Sequence, residues 1–188
     1  MRRAVCPDVR TVIESTLVSA DGVIGSPPTW TGGLFGPEFA ARSLRQLEHT
    51  DAMLMGRGTY EMFAAMWSTP TDPYSQALHD VRKVVFSSTL SQPQWHGAEV
   101  ATGGVTDTVR TLREQGEGDL LLYGHSGVGQ ELLESGLLDE LRLAVFPVFV
   151  GEGTPLARPG GRAGLELVGT EVVENGVVIH TYRPVRAA

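Results

Sequence analysis

Apolar positions along this chain come in two spacings. Residues 9–18, "VRTVIESTLV", are rich in β-branched side chains and predict a first strand. Residues 51–55, 83–86 and 119–123 ("DLLLY") are short apolar runs of the kind found in strands buried on both faces. Between them the period lengthens. Residues 37–49 set Phe39, Leu44 and Leu47 near one helical face, and 59–66, 72–81, 105–115 and 130–135 read as further helices. Pro73 falls early in its helix, where a missing N–H does no harm, and Gly136 suits a left-handed cap. The Gly- and Pro-rich stretch 19–36 predicts a long loop, an element that more often carries function than packing.

The pattern changes after residue 139. Residues 140–150 predict one long strand, and 165–174 and 177–183 flank Asn175-Gly176, a strong hairpin signal. Strands alternating with helices and closing on an antiparallel hairpin predict an α/β fold, with a mixed, mainly parallel sheet and helices on both faces. A length of 188 residues fits a single domain, 1–188, better than two.

Charge and cysteine use narrow the function. A net charge of −7 argues against general affinity for nucleic acid or anionic membrane, though a small anion in a local cluster stays compatible with it. One thiol, Cys6, can make neither an internal disulfide nor a cysteine zinc site. The longest apolar run, 141–150, is broken by Arg142 and Pro147 and is too short to span a bilayer. The start, "MRRAVCPDV", lacks the apolar stretch of a secretion signal. A cytoplasmic protein is expected. The five histidines show no ligand spacing, so no metal is expected.

Three strand ends carry turn chemistry: "MGRGTYE" (55–61), "FSSTL" (86–90) and "YGHSGVG" (123–129). Ligands of open α/β sheets collect at the carboxyl ends of parallel strands. Two of these turns open helices, whose free N–H groups and positive dipole ends favour phosphate. Arg57 adds a fork suited to bidentate phosphate binding, and Ser87, Ser88 and Thr89 add hydroxyls. Each turn alone reads as a glycine turn beside a cap; three at successive strand ends favour a phosphate-rich ligand.

In this order the blocks "SADGVIG" (19–25), "LRQLEHTDAMLMGRGTYEMFAAMW" (44–67), "KVVFSSTL" (83–90) and "GLLDELRLAVFPVFVGEGTPL" (136–156) resemble the dihydrofolate reductase superfamily. Within it they resemble the branch related to the riboflavin biosynthesis reductase, the C-terminal domain of the bacterial bifunctional deaminase-reductase. The resemblance implies the three-layer fold of that superfamily and NADPH as cofactor. It carries phosphate binding to Gly56, Arg57 and Thr59, and the adenosine phosphate to Ser87 and Ser88. It carries the pyrophosphate and ribose to Gly124, His125, Ser126, Gly127 and Val128, and backbone contacts with the nicotinamide to Leu17 and Ile24.

Two departures from the family pattern stand out. The family's Gly-Gly or Gly-Ser is here Gly124-His125, and in folate reductases that peptide bond is cis; here cis and trans are both open. The carboxylate that folate reductases place on the first helix falls, counting back from Gly56, on Ala40. Glu38 is the nearest acid and the first candidate proton donor, beside a neighbouring hydroxyl or water. No deaminase zinc motif is present. Trp30, in the long loop, is a candidate substrate wall against plain packing, Trp67 reads as core, and Asp21 and Asp139 read as structural.

The expected activity is NADPH-dependent hydride transfer to a C=N or C=O bond of a small planar substrate, pteridine- or diaminopyrimidine-like. The alternatives are an NADPH-binding or sensing protein without turnover, and a flavin- or deazaflavin-using member of the fold. The apolar strand 140–150 and the run Val177-Val178-Ile179, expected at the outer edge of the hairpin, predict a homodimer.

Overall fold

The protein is described by a computed structural model covering residues 10–158 and 161–185; Cys6 and Val9 lie outside the described residues. Among the described residues eight strands join one sheet, in the order β4-β3-β2-β5-β1-β6-β8-β7. The strands are β1 (Val12–Ser19), β2 (Thr50–Gly56), β3 (Arg82–Phe86), β4 (Ala98–Val100), β5 (Asp119–Tyr123), β6 (Glu140–Phe146), β7 (Gly164–Val172) and β8 (Val178–Val185). From β4 to β6 every pairing is parallel, and β8 and β7 add antiparallel to that edge.

Among the described residues five α-helices connect the parallel strands: α1 (Pro37–Glu48), α2 (Arg57–Trp67), α3 (Pro73–Asp80), α4 (Val105–Arg113) and α5 (Gly127–Glu134). Each element follows from local chemistry. α1 starts on Pro37 and buries Phe39, Ser43 and Leu47, four residues apart each time. α3 starts with a reciprocal capping box between Asp72 and Ser75. Ala52 to Met55 of β2 and Leu120 to Leu122 of β5 are buried on both faces, as central parallel strands require. One core lies between the sheet and α4 and α5, built on Val12, Leu54, Leu122, Val109 and Leu132. The second lies between the sheet and α1, α2 and α3, built on Ile13, Met53, Phe63, Leu78 and Leu121.

The α/β architecture agrees with the sequence expectation, and four details differ. β4 has three residues beside glycines and carries too little pattern to be read in advance. β6 stops at Phe146, because Pro147 offers no N–H to continue a ladder. α5 begins at Gly127, three residues before the expected start, since Ser126 caps it. The hairpin order is also the reverse of that expected. β8 lies inside, paired with β6, where Val177 and Ile179 are buried, and β7 is the outer strand. The turn itself is as expected: Asn175 and Gly176 both have positive φ, 58° and 78°. Among the described residues no helix is long and apolar enough to cross a membrane.

Candidate functional site

The carboxyl ends of β1, β2 and β5 open into a cavity of about 530 Å³. Two helices begin at its rim. Among the described residues no side chain caps the start of α2, which leaves its first N–H groups as available donors. The two starts abut: a Cβ on Gly56 would lie 3.6 Å from Ser126 Oγ and 3.7 Å from Val128 Cγ2. An alanine at 56 would just touch both, in ordinary van der Waals contact.

Arg57, the first residue of α2, stands beside this rim. Its Nε donates to Glu61 Oε1 at 2.6 Å and its Nη1 to Thr89 Oγ1 at 2.7 Å. The second contact joins the turn after β2 to the turn after β3. Ser87 Oγ accepts from the N–H groups of Thr89 and Leu90, which makes that turn compact, and Ser88 is exposed on it. Arg57 and the serines thus form one exposed polar cluster. They are not part of the cavity lining, which takes in Thr59, Gly124, His125, Ser126 and Gly127.

Leu17 of β1 and Ile24 of the loop after it line the same cavity. That loop is tied down from across the sheet. Ile24 N donates to Thr154 O at 2.8 Å and Leu156 N to Gly22 O at 2.8 Å. The Asp21 carboxylate accepts from Ser19 Oγ at 2.6 Å, Gly151 N at 2.7 Å and Val150 N at 3.1 Å. Those hydrogen bonds, the one from Ser19 first, lower its pKa to about 2.

The inner part of the cavity is an aromatic slot. Phe63 stacks on Tyr123 with centroids 5.3 Å apart, Trp67 meets Tyr74 edge-on at 6.1 Å, and Phe35 lies 6.4 Å from Tyr74. Burial pushes the Tyr74 phenol up to about 12 and raises Tyr123 well above the usual range, so both hold their protons. The Tyr123 hydroxyl is buried, and its approach to Tyr74 falls short of hydrogen-bond geometry, leaving it without a partner. From α1 the slot receives Phe39 and Ser43. Among the described residues no carboxylate lines it.

Glu38 is elsewhere. It is exposed, its Oε2 accepts from Glu174 N at 3.1 Å, and Glu174 Oε1 answers at Glu38 N and Phe39 N. That reciprocal pair caps α1 instead of facing the cavity. Trp30 is not in the lining either. Its Nε1 donates to Gly25 O at 2.7 Å and its ring packs edge-on against Phe146 at 5.8 Å, which is the packing reading. Among the described residues no peptide bond is cis, so Gly124–His125 is trans. Among them, too, no three His, Cys, Asp or Glu side chains converge as a metal site.

Two charged residues of this region were not singled out in the sequence. Arg158 lines the cavity. Glu14, fully buried on β1, lies 2.9 and 3.1 Å from His125 Nδ1 through its two carboxylate oxygens. The one signal for Glu14 was a charged residue inside a β-branched strand, "VIESTLV". The hydrogen bond to Glu14 raises the His125 pKa against the opposing effect of burial.

Residues 10–179 match the profile of the RibD C-terminal domain. The chain belongs to the RibD C-terminal domain family. Within it, the chain is 29% identical over 142 residues to the uncharacterized protein YyaP of Bacillus subtilis (strain 168), covering 72% of this chain and 75% of YyaP. A putative riboflavin biosynthesis protein from Shewanella sp. PV-4 superimposes with a TM-score of 0.72 at 23% identity, covering 94% of this chain and 99% of that one. A dihydrofolate reductase from Enterococcus faecalis, complexed with NADP(H) and RAB-propyl, superimposes with a TM-score of 0.61 at 16% identity, covering 93% and 96%. At these identities the two superpositions establish the fold shared by RibD C-terminal domains and dihydrofolate reductases.

Proposed function

We propose that this RibD C-terminal domain protein is an NADPH-dependent reductase that delivers hydride to a C=N or C=O bond of a small, planar, uncharged heterocycle. One observation carries the reading. Two abutting helix starts with an arginine-and-hydroxyl cluster beside them open onto a cavity that ends in an aromatic slot. The donor set fits a dinucleotide: free N–H groups of α2, Ser126 and Gly127 of α5, Arg158, and Arg57 with the Ser87–Thr89 turn for a further phosphate. The shared fold of the NADP(H)-complexed reductase supports the same choice of cofactor.

When bound, the nicotinamide supplies the hydride. The chain's own residues orient and shield. Leu17 and Ile24 form an apolar wall at the base of the cavity, and Phe63, Trp67, Tyr74 and Tyr123 hold a flat ring against it and exclude water. A ring that binds as a cation, such as a 2,4-diaminopyrimidine, needs a buried carboxylate partner, and among the described residues the slot has none. A neutral ring needs only hydrogen bonds, which Ser15, Ser43 and the tyrosine hydroxyls can supply. With Glu38 outside the cavity, the proton that follows the hydride comes from one of these hydroxyls or from water. The same lack of an acid favours a second reading, a protein that binds NADPH without turnover.

Absorbance-monitored NADPH oxidation across uncharged heterocycles, with dihydrofolate and trimethoprim alongside, separates the readings. Turnover of a neutral ring, with dihydrofolate slow and trimethoprim unbound, is the expected result. NADPH binding without oxidation of any acceptor selects the second reading. Failure of NADPH to raise the melting temperature removes both.

A further inference from the structure

The central strand of a sheet covered on both faces is ordinarily apolar, and Glu14 breaks that rule at the middle of β1. The fold makes room for it. A Cβ on Gly129 of α5 would stand 2.4 Å from Glu14 Oε2, so only glycine lets the helix pass over the carboxylate. A buried carboxylate costs several kcal/mol unless charge and hydrogen bonds compensate it. Thr16 Oγ1 donates to it at 2.9 Å, and the remaining partner is His125.

The far side of the imidazole meets a second acceptor. His125 Nε2 lies 3.2 Å from Gln130 Oε1. The amide is oriented by its other end, where Gln130 Nε2 donates to Glu134 Oε1, and its oxygen is left facing the histidine. An imidazole with an acceptor at each nitrogen must donate from both, and only the imidazolium does so.

We propose that Glu14 is a positioning residue that holds His125 as an imidazolium in the wall of the cofactor cleft, giving the start of α5 a fixed positive charge for a pyrophosphate. The inference rests on the cofactor reading above. His125 immediately precedes Ser126, the N-cap of α5, and so adds a whole charge to the partial charge of the helix end. The groups facing it are Glu14 from β1, Gln130 from α5 and Arg158 from the segment after β6. Arg158 opposes protonation and ranks below the Glu14 hydrogen bond, and Glu134 lies one hydrogen bond further out. Because the histidine's native pKa is raised, the charge is present at low pH and is lost as pH rises through that raised value. Dinucleotide affinity therefore falls with rising pH.

The test uses the full chain and NADH. Its pyrophosphate keeps a constant charge near neutrality, whereas the monoester phosphate of NADPH titrates at about pH 6. The His125 ring proton is followed by NMR against pH with and without NADH, and NADH affinity is followed by fluorescence over the same range. We expect His125 to titrate above the ordinary histidine value of 6.5 and to move higher when NADH binds, by reciprocal linkage. Affinity should fall across the same interval. In Glu14→Gln the titration should drop and NADH should bind roughly tenfold more weakly at the pH where the parent is charged, the factor equal to one pKa unit of coupling. If that variant does not fold, the linked shift in the parent decides alone. A His125 that titrates at or below the ordinary value, or one that NADH leaves unmoved on binding, overturns the proposal. A raised His125 in a protein that binds neither NADH nor NADPH overturns the cofactor reading and the pyrophosphate role, and leaves Glu14 as a purely structural holder of the charge.

Discussion

Arg57 is half exposed and already paired with Glu61 one helical turn on. An exposed pair of that kind is worth only about 0.3–0.5 kcal/mol, so a phosphate with two anionic oxygens can take the guanidinium from it. Arg57→Ala should weaken NADPH by about 1.5–3 kcal/mol, the range for a hydrogen bond to a charged group, and leave NADH little changed. Fluorescence titration with both cofactors checks this, and equal losses for the two would place Arg57 away from the extra phosphate. Asp21 has a pH signature instead. Its carboxyl, at about 2 in the native protein against 3.8 unfolded, contributes stability above 3.8 that disappears as pH falls toward 2. Asp21→Asn should lower the melting temperature at neutral pH, and the gap between the two proteins should close as pH falls through that window. A gap independent of pH would mean that the loss is steric. Arg57 and the serines were legible in the sequence because turn residues between a strand and a helix announce themselves. Glu14 was not, since one acid in a β-branched strand acquires meaning only when folding brings His125, 111 positions away, against it.

Elements show where counting along a chain stops working. The helix face that looks into the slot presents Phe39 and Ser43, whereas counting back from Gly56 pointed to Ala40. The chain between a helix and the next strand fixes register only when its length and bend are known, and a shift of one residue rotates a helical position by about 100°. Neither Phe39 nor Ser43 is an acid, so the shifted register brings no carboxylate from α1 to the slot. Segments 19–25 and 148–156, conspicuous separately in the sequence, pack together: Val23 pairs with Pro155, and Ala20 N donates to Val148 O at 2.9 Å. That contact puts Ile24 in the cavity wall. Gly153 is its tightest point, with φ +130° and a Cβ position 2.9 Å from Val23 Cγ1. Gly153→Ala should therefore cost about 1–3 kcal/mol, the range for a residue forced into glycine's region. Urea denaturation measures it, and a change within a few tenths would show that the loop relaxes freely.

At the scale of the whole molecule, the sheet is finished at one side only. β4 is three residues long, so that edge offers little to pair with. The other edge, β7, runs nine residues from Gly164 to Val172 and is exposed along nearly its whole length. Leu165, Leu167, Val168 and Val172 are 39%, 55%, 40% and 72% exposed, which is a row of apolar side chains where isolated proteins place charge or proline. Of its two charges, Glu166 sits near the start of the strand and Glu171 is drawn back toward the body by Arg42 at 2.8 Å. The expectation of an apolar outer strand in the hairpin was right in kind and wrong in strand, because the sequence marks where a hairpin turns but not which arm lies inside. We propose that β7 is covered by β7 of a second chain in a two-fold homodimer, the closed arrangement in which one patch satisfies itself. A stable interface needs about 800 Å² from each partner, so the strand must bring neighbouring surface with it, and the hairpin face beside it is the surface at hand. Light scattering at micromolar concentration should give twice the 20.2 kDa chain mass. Leu167→Lys, placing charge at the middle of the edge, should shift the equilibrium to monomer while leaving the cavity, on the far side of β6 and β8, intact. A parent protein that scatters as one chain would mean that the edge stays open and the dimer is wrong; a dimer unmoved by the substitution would place the interface on another face.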